Sequence, residues 1–220
     1  MKRTAKERKN NSMAKIKSMG IACNEWLPML DESSQVTVNS LDEICKRAIA
    51  CLLSTQVACD TQSGNYDESV SMFSKLLDSY NVRDSLIPAE KRLFDGTYSE
   101  QDAVNVVWTY EAYWSLVWAL GLIDDISDAG NICDCEKAVR LVGDCENFEK
   151  LRNGCKLRDT DEILDMLDLY YRYDWAVTEK RIKPDTPIGN LNPEVVMERR
   201  RGLEWLISDE DDWFEISMDT

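Results

Sequence analysis

Glu111 and Asp174 are the two carboxylates whose positions invite a chemical reading. Glu111 lies among Val104, Val107, Trp108, Trp114 and Trp118, and Asp174 interrupts the stretch holding Tyr170, Trp175 and Val177. An isolated buried charge is prohibitively costly, so such a carboxylate is either paired with a cation or kept protonated. A general acid with a raised pKa has the same sequence signature, and the two residues together could form an acid–base pair. Arg47, beside the apolar stripe of the first long helix, and Arg199 and Arg200, in the last one, are the candidate partners. These five residues form a candidate polar core cluster. A structural ion pair is its plainer reading and outweighs the catalytic one, because such pairs are commoner than active sites.

Two further groupings have metal-ligand character. Asp124-Asp125-Ile126-Ser127-Asp128 has the DDxxD form that holds magnesium and diphosphate in terpenoid synthases, and magnesium prefers such hard oxygen ligands. There the aspartates project from a helix, whereas here they follow the helix stop at Gly121, with no second metal motif. Cys133, Cys135, Cys145 and Cys155 could supply four thiolates to zinc, but only the first two are spaced as a knuckle would be. The chain contains no histidine, which removes Ser-His-Asp and Cys-His nucleophile systems and histidine-based zinc or iron sites. There is no glycine-rich phosphate loop, and no cofactor is expected.

Composition narrows the classes further. The net charge is −15, and residues 1–17 are basic apart from Glu7, so the rest of the chain is more acidic still. Such a body does not neutralise phosphates, which argues against nucleic acid and for a basic protein partner steered by charge. Acidity also simply maintains solubility, and that plainer reading is favoured. No apolar run approaches the roughly 20 residues of a membrane span. Lys2, Arg3, Lys6, Arg8 and Lys9 resemble the start of a signal peptide, but Lys15 and Lys17 interrupt the apolar stretch that should follow. A cytoplasmic location with eight reduced thiols is therefore expected. Cys45, Cys51 and Cys59 read as small buried hydrophobes of one helix.

The elements that must position these groups are helices. Residues 1–24 read as a basic, flexible lead-in or loose helix, and residues 25–220 as a single α-helical domain. Gln35–Val38 suggests a short extended stretch. Ser40 and Glu43 form a capping box for a helix to about residue 58, and Val70, Phe73, Leu76, Leu77 and Tyr80 recur at helical spacing. A short helix is predicted over 88–94. Ser99 caps the best-defined element, a buried central helix over about 100–120 that ends at Gly121. Two short helices around Gly143, a long one capped by Asp159 or Thr160, and a last one begun by Asn192-Pro193 complete the reading. With seven tryptophans and eight tyrosines, the mainly α, compact multi-helix domain is expected to have an aromatic-rich core. Trp213, Phe214 and Ile216 should dock the acidic tail.

One resemblance joins these pieces. Leu41-Asp42-Glu43-Ile44 with Arg47-Ala48, the run from Trp108 to Gly121, the run from Leu167 to Ala176, and Glu198-Arg199-Arg200 through Trp205 and Trp213 resemble the bacterial family called domain of unknown function 4272. The resemblance covers about residues 20–220 and implies an α-helical fold without any established reaction, cofactor or partner. It draws together Arg47, Glu111, Asp174, Arg199 and Trp205. The functional expectation is a non-enzymatic interaction protein, of the immunity or antitoxin kind. The alternative is a carboxylate-based enzyme using Glu111 and Asp174, with a metal at Asp124, Asp125 and Asp128.

Overall fold

The computed structural model describes residues 3–219, and among them the chain forms nine α-helices, one 3-10 turn and no strand. The fold is all-helical, as the periodicity predicts. Gln35–Val38 has no strand pairing. The helices fall into two units, each assembled from separated stretches of chain.

One unit comprises Asn39–Ile123 and Cys133–Leu157. It holds α2 (Leu41–Asp60), α3 (Tyr66–Tyr80), α4 (Pro88–Phe94), α5 (Glu100–Ala119), α6 (Cys135–Gly143) and α7 (Phe148–Gly154). The Ser40 hydroxyl accepts from the Glu43 amide at 3.3 Å, and the Ser40 amide donates to Glu43 at 2.8 Å, so the capping box starts α2 where the sequence places it. Helix α2 packs along α5 and also meets α3, α4 and α7. Its buried face carries Ile44, Cys45, Ala48, Cys51 and Leu52, but Cys59 is exposed one residue before the helix ends. Every residue of α5 from Glu111 onward is buried, whereas its first half buries only Ala103, Val106 and Thr109. Val104, expected on the core stripe, is 41% exposed.

Gly121 ends α5 in the left-handed region, φ 72°, and the Leu122 amide folds back to the Val117 carbonyl at 3.0 Å. A Cβ at this position would sit 2.7 Å from the Lys156 carbonyl oxygen, and the Lys156 amide donates to Leu120 at 2.9 Å. Glycine is thus required for two reasons, the backbone conformation and the chain that crosses over it.

The other unit comprises Met1–Val38, Asp124–Ile132 and Arg158–Thr220, with α1 (Ala5–Ser18), α8 (Thr160–Ile182) and α9 (Pro193–Trp205). Helix α1 occupies much of the basic lead-in and opens on a capping box of Thr4 and Glu7. It packs on α8, and α8 packs on α9. Asp159 caps α8, while Asn192 caps α9 ahead of Pro193. Trp213 of the tail is fully buried against Trp205, their rings 6.5 Å apart and nearly perpendicular.

An aromatic-rich core is not what results. Ring contacts among the described residues are isolated pairs, such as Tyr110–Tyr113 and Tyr170–Tyr173, with aliphatic side chains between them. The physical reason is the tyrosine hydroxyl, which needs a partner when buried and so draws each ring towards a backbone carbonyl. The hydroxyls of Tyr113, Tyr80 and Tyr170 donate to the carbonyls of Ala138, Cys145 and Ile126 at 2.8, 2.5 and 2.5 Å. Trp26 is 94% exposed.

Two predictions follow from these termini. Gly121→Ala should lower unfolding free energy by about 1–3 kcal/mol for backbone strain, plus the clash with Lys156. Gly64→Ala, at φ 80° with open space around it, should show the strain alone; equal denaturant midpoints for the two variants would remove the crossing chain from the account. At the start of α5, the Arg92 guanidinium donates to Asp102 at 3.1 and 2.5 Å. That hydrogen bond, together with those from Ser99, outweighs burial and holds the carboxyl below the usual aspartate range. Its contribution to stability is present above the unfolded value and is lost as pH falls through the lower, folded one. Asp102→Asn should therefore flatten the acid side of the stability–pH curve, and an unchanged slope there would contradict it.

Candidate functional site

The polar residues singled out in the sequence are divided between the two units. Glu111 and Arg47 belong to the α2–α7 unit, and Asp174, Arg199 and Arg200 to the other.

Glu111 is 2% exposed, and its carboxylate accepts from the Cys133 backbone amide at 2.6 Å, tying α5 to the start of the segment that leads into α6. Burial, reinforced by the charge of Glu111, pushes the Cys133 thiol far above the ordinary thiol range. Arg47 forms an ion pair with Glu90 of α4 and donates to the Ser85 carbonyl. The other oxygen of Glu90 accepts from the Ile87 amide at 3.0 Å, so one carboxylate both caps a seven-residue helix and faces a buried guanidinium. Below this pair, Cys51 approaches the Thr109 hydroxyl and carbonyl at 3.4 Å, and burial raises its thiol to about 12.

In the second unit Asp174 accepts from Arg200 at 2.5 Å. The same guanidinium donates to the carbonyls of Met218 and Asp219 at 3.0 and 3.1 Å, reaches Glu204 at 3.2 Å, and lies over the Tyr171 ring. Arg199, one residue earlier on α9, donates to the carbonyls of Ile126, Asp128 and Asn131 at 3.2, 2.6 and 3.1 Å and to the Tyr170 hydroxyl at 3.2 Å. It holds the segment 124–132, which has no helix of its own. Five donors in a planar fork suit this task, and a lysine could not perform it.

The metal candidates have other engagements. Asp125 accepts from the amide and hydroxyl of Ser127 at 2.9 and 2.8 Å, and Asp128 accepts from the Gly130 amide at 2.9 Å. Both carboxylates thus shape turns. The Asp124 carbonyl accepts from Arg158 at 3.1 Å. Among the cysteines, Cys135 is directed at the Cys133 carbonyl at 3.6 Å, Cys145 at Leu141 at 3.5 Å, and Cys155 at Leu151 at 3.1 Å. Among the described residues no group of three or more histidine, cysteine, aspartate or glutamate side chains is placed to hold a metal ion.

Sequence reasoning passed over Glu90, Asp168 and Arg8. Asp168 and Arg172, one turn apart on α8, form a buried two-pronged pair at 2.9 and 2.7 Å, and Arg172 also donates to the Pro28 carbonyl at 3.3 Å. Their signal was the four-residue spacing inside an apolar run. Arg8 reaches the Asp31 carbonyl at 3.0 Å and Asp165 at 3.3 Å. For Glu90 the signal was its place two residues after Pro88, where a helix start accepts a carboxylate.

The model of the family described as domain of unknown function (DUF4272) matches residues 8–216. The chain belongs to this family. The match reaches from Arg8 in α1 past the buried Trp213, so the DUF4272 domain includes the helices of both units. No curated protein and no solved structure matches the chain.

Removing Asp174 takes from the buried Arg200 the nearer of its two carboxylates and leaves Glu204 at 3.2 Å. Asp174→Ala in this DUF4272 chain should cost about 3–5 kcal/mol in chemical denaturation. An unchanged midpoint would show that the tail carbonyls and Glu204 are sufficient for Arg200.

Proposed function

We propose that the protein is a non-enzymatic protein-interaction module, of the immunity or antitoxin kind, which binds a basic protein partner in the cytoplasm. The observation that carries this reading is the acidic loop between Trp205 and Trp213. Its two ends are anchored: the Trp205 indole donates to the Asp211 carbonyl at 3.3 Å, and Arg201 donates to the Trp213 carbonyl at 3.1 Å while stacking on Phe214. Between these anchors Asp209, Glu210 and Asp211 are exposed. Ordered, outward carboxylates on a chain of net charge −15 attract a basic surface and lose little freedom when it docks. The carboxylates that first suggested chemistry have structural engagements: Glu111 accepts from a backbone amide and Asp174 faces Arg200.

The test is capture of a partner at low and high salt, by the parent chain and by a variant carrying Asp209→Lys, Glu210→Lys and Asp211→Lys. The expected result is a basic protein retained at low salt, shed at high salt, and lost from the variant while its helical spectrum is unchanged. Equal capture by parent and variant, or no partner at either salt, would overturn the proposal.

A further inference from the structure

The sulfurs of Cys45 and Cys155 lie 3.9 Å apart although the residues are 110 positions apart in the chain. Cys45 is fully buried in α2, and Cys155 is half-buried at the residue that ends α7. Helices α2 and α7 are packed together, so the closeness of the two thiols is built into one unit. We propose that Cys45 and Cys155 are an oxidisable dithiol, which a hydroperoxide converts into a disulfide tying α2 to the end of α7.

The geometry asks for little movement. A disulfide brings the sulfurs to about 2.05 Å, so they must approach by about 2 Å. Gly154, immediately before Cys155, has nothing within 4 Å of its Cβ position, which leaves the chain there room to shift. Polarity also favours a defined order. The Cys45 thiol donates towards the Cys155 sulfur, and this hydrogen bond draws the Cys155 thiol below its ordinary range. The same bond, followed by burial, pushes the Cys45 thiol up. The thiolate is the nucleophile, so the half-exposed Cys155 reacts first.

The chemistry balances in two steps. The Cys155 thiolate attacks the outer oxygen of the hydroperoxide and breaks the O–O bond. Cys155 becomes a sulfenic acid, and the departing alkoxide takes up the proton the thiol released, leaving as an alcohol. The Cys45 sulfur then attacks the Cys155 sulfur, the S–O bond breaks, and hydroxide leaves as water with the Cys45 proton. The two sulfurs together lose two electrons, and the peroxide oxygens gain them. Once Cys155 has become a sulfenic acid, the hydrogen bond that held the Cys45 proton to an anion is gone, which eases the second step.

The experiment exposes the folded chain to hydrogen peroxide, blocks remaining thiols under denaturing conditions, and maps the peptides by mass spectrometry. The expected product is a Cys45–Cys155 peptide pair lighter by two hydrogens and separated again by reductant. In Cys45→Ser, Cys155 should instead be trapped by dimedone as a sulfenic acid. In Cys155→Ser, Cys45 should stay reduced at the same dose. Full alkylation of both cysteines in the parent, at a dose that oxidises the exposed Met29, would overturn the proposal. So would linkage of Cys155 to Cys145 in place of Cys45.

Discussion

A guanidinium does not escape burial by giving up its proton, so every arginine taken into the interior dictates what surrounds it. Arg8, Arg47, Arg172, Arg199 and Arg200 are all buried here, and each is met by carboxylates, backbone carbonyls or both. The carbonyls they engage belong largely to chain that forms no helix: Asp31, Pro28, Ile126, Asp128, Asn131, Met218 and Asp219. Helix packing supplies the apolar burial, and these forks determine where the connecting segments lie. The dependence runs both ways, since a loop that moved away would strand a buried charge.

The helices were legible because their signals are local. Ser40 with Glu43, Ser99 with Asp102, Gly121, Asp159 and Asn192-Pro193 all act at the positions where the sequence places them. Thr4 with Glu7 is an equally plain capping box, and reading residues 1–24 by their charge alone left flexible lead-in and loose helix as alternatives where a capped helix forms. The tertiary partnerships were not legible. Arg47 stood out as an arginine beside an apolar stripe, but its partner Glu90 lies 43 residues away on a short helix with its own use for a carboxylate. Composition misled on the core. Counting rings ignores the hydroxyls, which commit buried tyrosines such as Tyr113 and Tyr170 to backbone carbonyls and not to one another.

The same distinction separates local from distant chemistry at the candidate site. The DDxxD pattern has the right residue types, but outside a helix two of its aspartates fold back on nearby backbone amides. Cys133, Cys135, Cys145 and Cys155 have the residue type for a zinc site without its spacing, while the sulfur of Cys155 lies 3.9 Å from that of Cys45, far away in the chain. Membership of the DUF4272 family adds no reaction to this picture. A division of labour follows: arginines fix the interior, and the surplus acid is carried on the outside, where the Asp209–Asp211 loop presents it.

The central claim is that an arginine fork, not helix packing alone, places an irregular segment. Hydrogen exchange of the Arg199→Lys variant tests it most directly, because the charge is kept and only the fork is lost. The account predicts faster amide exchange across residues 124–132, with α2 and α5 as protected as in the parent chain. Unchanged protection of that segment would contradict it, and would mean that the turns formed by Asp125 and Asp128 hold the loop without the arginine.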